Sequence, residues 1–269
     1  MADIDDLFFN DDNFKNNKVK ESKRILLIVA YDGTGYCGWQ KQPNGITVEE
    51  ILNRALNRIT GEKIEVIGAS RTDSGVHALG NVAVFDTVSP IPAEKFSYCL
   101  NKVLPPDIVI QSSRAVPEDF HPRHEDCIKT YEYRIYNSTF PNPMRRRFTH
   151  FLYYKLDVSK MQEAAVCLLG EHDFKSFANP GGQQKTSVRN IKSLDITRDG
   201  EEIIIRISGN GFLYNMVRII AGTLIKVGLG MYQPEHVKEI LEAGNRNAAG
   251  PTAPACGLTM VGIVYDRFK

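Results

Sequence analysis

From Arg24 onward the chain alternates strand-like and helix-like periodicity in a fixed order, and then repeats that order. Ile25–Tyr31 is a continuous apolar run that reads as a buried strand. In Thr47–Thr60, Val48, Ile51, Leu52, Ala55, Leu56 and Ile59 recur at helical spacing, and Thr47 and Glu50 have capping-box spacing. Strands are predicted at Ile64–Ala69 and Asn81–Asp86. A helix is predicted over Ala93–Leu104, ending before Pro105 because proline disfavours helical backbone in the residue that precedes it. Ile108–Val116 is a further strand. The order β-α-β-β-α-β is the split βαβ unit of ferredoxin-like folds.

The second half repeats this plan with one added helix. Phe148–Tyr153 reads as a strand and Ser159–Leu169 as a helix. Strands follow at Val188–Thr197 and Glu202–Ser208, joined by a hairpin turn at Asp199-Gly200. Helices at Tyr214–Val227 and Pro234–Ala243, a loop at Gly250–Gly257 and a strand at Leu258–Tyr265 complete it. Cys127–Tyr136 is predicted as a connecting strand. The expected fold is α+β: two tandem ferredoxin-like halves form a central, mostly antiparallel sheet with helices on one face. The expected divisions are an acidic disordered tail (1–23), an N-terminal half (24–120), a basic connecting segment (121–147) and a C-terminal half (148–269).

Charge is distributed unevenly. The net charge of the chain is +1, but residues 1–23 carry −2, and the segment 121–147 alone carries +3. That segment also holds His121, His124, Tyr131, Tyr133 and Tyr136. Basic groups interleaved with aromatics suit phosphate contact and base stacking, and also suit a solvated charged face. No apolar run approaches the roughly 20 residues of a membrane helix, and the acidic N-terminus is unlike a secretory signal. The five cysteines are scattered with no C-x-x-C pair, so neither zinc nor a disulfide framework is indicated, and a reducing cytoplasm is expected.

Chemistry concentrates at Gly68–His77, where an apolar strand runs into a turn carrying Arg71, Asp73 and His77. Arg71 and Asp73 are two apart, so extended backbone would place them on one side. A guanidinium there would favour the ionised carboxylate, as a nucleophile, a base or one half of a turn-stapling ion pair. Arg218 is the single arginine of an apolar helix. It must find a carboxylate, which Asp73 could supply across a cleft, or snorkel to solvent. His77 reads as a hydrogen-bonded turn residue. An Asp73–His77 hydrolase is the competing reading, and no ligand cluster completes a metal site for it.

Six segments together resemble the TruA family of tRNA pseudouridine synthases. They are Tyr31–Tyr36 with Gly38-Trp39-Gln40, Arg71–His77, Phe120–Arg123, Lys129–Arg134, Asn215–Arg218 and Ala253–Leu258. The resemblance implies isomerisation of uridine in the anticodon stem-loop (tRNA positions 38–40), with no cofactor and no metal, by a cytoplasmic homodimer. It implies Asp73 as the nucleophile or base, Arg71 in base flipping and pairing with the aspartate, and Arg218 as its salt-bridge partner. Tyr131 would be the base platform that helps remove the C5 proton, and Leu258 would line the pocket. It further implies RNA contact by Phe120, His121, Pro122, Arg123 and His124, with Leu79, Gly80 and Asn81 nearby. Arg145, Arg146 and Arg147 are added to that list by their charge. Ser70 stands where the family usually has glycine. The alternatives are a non-catalytic RNA-binding protein on the same fold and a paralogue acting on another RNA.

Overall fold

The computed structural model describes residues 21–181 and 185–268. The predicted N-terminal tail therefore lies almost wholly outside the described residues. Ten strands form one mixed, mostly antiparallel sheet with main order β4-β1-β3-β10-β5-β9-β8-β7. They are β1 (Lys23–Tyr31), β2 (Ile67–Gly68), β3 (His77–Thr87), β4 (Ile108–Val116), β5 (Cys127–Asn137), β6 (His150–Leu152), β7 (Gly170–Asp173), β8 (Val188–Asp199), β9 (Glu202–Gly209) and β10 (Leu258–Tyr265). The helices are α1 (Val48–Thr60), α2 (Phe96–Asn101), α3 (Val158–Ala165), α4 (Met216–Gly228) and α5 (His236–Ala243). Among the described residues no helix is long and apolar enough to cross a membrane.

Local chemistry sets these elements. The Thr47 hydroxyl caps α1 by accepting from Glu50 N, and Gly61 closes it in left-handed backbone. Val48, Leu52, Ala55 and Leu56 of that helix are buried against the sheet, in line with the predicted face. Along β5, Tyr131, Tyr133 and Ile135 enter the core, and Glu132, Arg134 and Tyr136 take the opposite face. There Glu132 pairs with Arg134 and Arg206, and Glu202 with Arg134 and Arg145. β5 is thus no mere connector: it runs through the middle of the sheet between β10 and β9.

Three expectations are corrected, and one strand appears that was not expected. Ile64–Val66 does not join the sheet, because Asn57 and Asn53 on α1 accept from Ile64 N at 2.7 Å and Val66 N at 2.9 Å. β3 begins at His77, four residues before the predicted Asn81. The first turn of the helix predicted at Ala93 is a 3₁₀ turn, and α2 occupies only Phe96–Asn101. β7, a polar edge strand, carries no apolar alternation from which to read it.

The join that matters for function is narrow. β10 meets β3 in parallel through Thr259–His77 and Met260–Ala78, and meets β5 antiparallel, with Met260 opposite Tyr131. The loop before β3 and the loop before β10 therefore emerge at the same end of the sheet, beside Tyr131.

Candidate active site

Asp73 sits in the loop that leads into β3, and every side of that loop is tied down. Trp39 N donates to Thr72 O at 3.1 Å, and the Tyr31 and Thr72 hydroxyls lie 2.7 Å apart. Gly75 N and the Ser74 hydroxyl both donate to Tyr36 O. Gly38, at φ 82°, has no room for a side chain, since a Cβ there would lie 2.5 Å from Thr72 O. The Tyr31–Gln40 motif is therefore the cradle of the aspartate loop. Asn81 completes the support by donating to Ser70 O at 3.0 Å.

Arg218 reaches the carboxylate from α4, with Nη1 3.1 Å from Asp73 Oδ2. Its Nε donates to Ala253 O at 2.7 Å and its Nη1 to Asn215 Oδ1 at 2.8 Å. The loop before β10 presses close to α4 to supply that carbonyl. Gly222 makes the approach possible, because a Cβ there would fall 1.8 Å from Pro251 O. The cleft-facing alternative for Arg218 is the observed one. Side-chain exposures of 17% and 20% make this a partly buried pair, with more at stake than a surface ion pair.

Burial sets the electrostatics. Desolvation pushes the Asp73 carboxyl above its ordinary range, and the charge and hydrogen bond of Arg218 pull against that without cancelling it. The expectation of a carboxyl depressed by a neighbouring arginine is thus corrected in sign. Arg218, 145 residues away in the chain, supplies an ion pair to Asp73. Val76 N closes a turn onto Asp73 O, with Ser74 and Gly75 at its centre. Arg71 is exposed on the cleft rim, where its charge acts on Arg123.

A cleft of about 1030 Å³ opens over Asp73. Tyr131, Leu258 and Phe212 line it, with Tyr131 and Phe212 edge to face at 5.2 Å. Burial pushes the Tyr131 phenol up to about 12, partly relieved by the Ser70 hydroxyl beside it. Asp73 is the sole acid among the lining residues, against Arg71, Arg123, Lys129 and Arg189. Lys129 is drawn in by a 3.0 Å bond to Ala69 O, and burial lowers its pKa. Phe212, Arg189 and Lys129 were absent from the sequence-derived site.

The predicted RNA contacts separate into two groups. Leu79, Arg123, His124, Arg145, Arg146 and Arg147 are exposed, and His121, half-buried, stacks on His124 at 3.9 Å. Phe120, Pro122, Gly80 and Asn81 are buried and cannot meet RNA directly in this structure. Phe120 packs edge to face on Tyr265 at 5.1 Å, so Phe120→Ala should cost about 3–5 kcal/mol of stability. A denaturation series should show that loss. Arg145 pairs with Glu202 and Arg147 with Asp32, and none of Arg145–Arg147 lines the cleft. His77 is buried, accepts from Gly33 N through Nδ1 at 3.0 Å and lies 3.2 Å from Asp32. It is a strand residue facing the Asp32 turn, which removes the basis for an Asp73–His77 hydrolase. Among the described residues no cluster of His, Cys, Asp and Glu could hold a metal ion.

The family model described as tRNA pseudouridine synthase matches residues 27–125 and 164–266. The chain is 50% identical over 243 residues to tRNA pseudouridine synthase A of Acetivibrio thermocellus, covering 90% of this chain and all of that protein. It is 47% identical to tRNA pseudouridine synthase A 2 of Clostridium perfringens and 45% identical to tRNA pseudouridine synthase A of a Thermoanaerobacter species, at the same coverage. A half-buried aspartate held by an arginine from the far half of the chain, over a cation-lined cleft, thus stands in a protein that belongs to the TruA family of tRNA pseudouridine synthases, enzymes of the isomerase class.

Proposed function

We propose that this enzyme converts uridine to pseudouridine in the anticodon stem-loop of tRNA, with Asp73 starting the reaction. The Asp73–Arg218 pair over a Tyr131 floor carries the reading. Asp73 acts at the sugar to release N1 from C1′. The freed uracil turns against Tyr131, and C5 bonds to C1′. The C5 proton leaves and N1 gains one, so substrate and product are isomers and no external group is consumed. Tyr131 stays protonated at neutral pH, which suits a platform and a hydrogen-bond donor better than a base. Leu258 closes the pocket. A stacked uridine must first leave its helix, at a cost of a few kcal/mol that the basic rim offsets through the phosphates. Arg71 stands at that rim as the flipping residue. The exposed residues Leu79, Arg123, His124 and Arg145 to Arg147 extend the RNA path, supported from beneath by Phe120, Pro122, Gly80 and Asn81.

The chain reads as two tandem split-βαβ halves that meet at the β3–β10 seam, working as a cytoplasmic homodimer without cofactor. Tritium release from tRNA labelled at uridine C5, followed by mapping of the modified positions, tests the activity and the anticodon assignment together. The cleft cations make a separate claim. Neutralising Arg123 and Arg189 together should lower the slope of log affinity against log salt by about 1–2, more than neutralising Arg145 to Arg147, which are engaged in part by Glu202 and Asp32. Equal slopes in both variants would move the RNA path away from the cleft.

A further inference from the structure

Asn215 is the only non-glycine residue with positive φ among the described residues, at φ 61° and ψ 7°. It stands at the N-cap of α4, where asparagine ordinarily takes extended backbone and bonds the N–H groups of the first turn. It does neither. Its side chain makes no cap hydrogen bond. Its carboxamide oxygen accepts instead from Arg218 Nη1 at 2.8 Å, and that same nitrogen faces Asp73 at 3.1 Å.

The guanidinium is a planar fork. Ala253 O, bonded to Nε at 2.7 Å, fixes one point and leaves the plane free to pivot. A second anchor at Nη1 fixes the direction of the nitrogen that meets Asp73. Backbone held in a sparsely populated region at a functional site persists only where its surroundings enforce it. Asparagine is among the few residues that tolerate the left-handed region and also carry an acceptor on a short side chain.

We propose that Asn215 is a positioning residue for the isomerisation, held in left-handed backbone so that its carboxamide aims Arg218 at Asp73. The inference rests on the functional reading above. The groups that face or surround Asp73 are Arg218 from α4, Tyr131 from β5, Arg71 from its own loop, and Arg123, Lys129 and Arg189 around the cleft.

The test compares Asn215→Gly, Asn215→Asp and Asn215→Ala in the full chain, under single turnover with C5-tritiated tRNA. Glycine keeps the left-handed backbone and deletes only the acceptor. Its rate constant should fall roughly 10–100-fold, with tRNA Kd and Tm near wild type. The acid limb of its pH–rate profile should move to higher pH, as Arg218 loosens its hold on Asp73. Asn215→Asp, which retains an acceptor, should recover part of the rate. Asn215→Ala should match the glycine rate loss and also lower Tm. A glycine variant with wild-type rate and an unmoved acid limb overturns the proposal, as does a rate loss that only tracks an unfolded fraction. If wild type releases no tritium, the functional reading fails on its own. The Asp73 titration followed by carboxyl NMR in wild type and Asn215→Gly then still decides the role of Asn215, since identical titrations would exclude it.

Discussion

Asp73→Asn should abolish tritium release, by roughly 10⁴–10⁶-fold in rate, the range for loss of a group on which the chemistry turns. Asparagine matches the volume and stays beside Arg218, so the loop anchored by Tyr31, Trp39 and Tyr36 should keep its shape. tRNA affinity should hold or tighten slightly, because a negative charge leaves a cleft otherwise lined by cations. The variant should also reveal what the site costs the fold. Folding raises the pKa of this carboxyl, so ionised Asp73 disfavours folding above its ordinary titration range. The Tm of Asp73→Asn relative to wild type should therefore climb as pH rises from about 4 toward 7. A flat difference would mean that folding does not raise the pKa of this carboxyl. Turnover near the wild-type rate would remove Asp73 from the chemistry.

Arg218→Leu should lower the rate by roughly 10²–10³-fold, about 3–4 kcal/mol of transition-state stabilisation. The carboxylate would keep its burial and lose the opposing charge, so its pKa should move further up and the acid limb of activity with it. Leucine suits the otherwise apolar α4, whose Ile219, Ile220 and Leu224 are buried in the core, so secondary structure should persist. Circular dichroism and a pH–rate profile on one preparation separate the outcomes. A collapsed, insoluble protein would make Arg218 a structural residue. A folded protein with an unshifted limb would deny its electrostatic hold on Asp73.

Much of this could be read from residue order, for reasons that differ by element. β4 and β10 match their predicted limits, and α1 differs by one residue, because apolar period and end signals agree there. Ile64–Ala69 misled because its apolar residues pack while its backbone bonds go to Asn53 and Asn57, side chains that carry no strand signal. At the site, Asp73, Tyr131 and Leu258 line one cleft and Arg218 pairs with Asp73. Phe120 belongs to a motif and Asn81 to the loop expected near the RNA, yet both are buried, a distinction that charge and sequence spacing do not encode. Phe212 and Arg189 reach the cleft only through tertiary packing. The sign of the Asp73 shift was likewise invisible, since neighbours in sequence suggest charges and not desolvation. Ser70 now has a neighbour, the Tyr131 phenol, where before it was only a departure from the family pattern.

The seam between β3 and β10 has a temporal side. Two paired positions join those strands, and the ion pair above them closes a loop of 145 residues. Contacts so distant in sequence form late, after local hairpins and helices. On a ribosome, β10 emerges after every other strand of the sheet. The Asp73–Arg218 pair therefore closes only after the segments between the two residues have taken their places. Because β10 joins β3 to β5 in the middle of the sheet, a chain cut short of Leu258 should lose the seam that brings Asp73 and Arg218 together, and its activity with it.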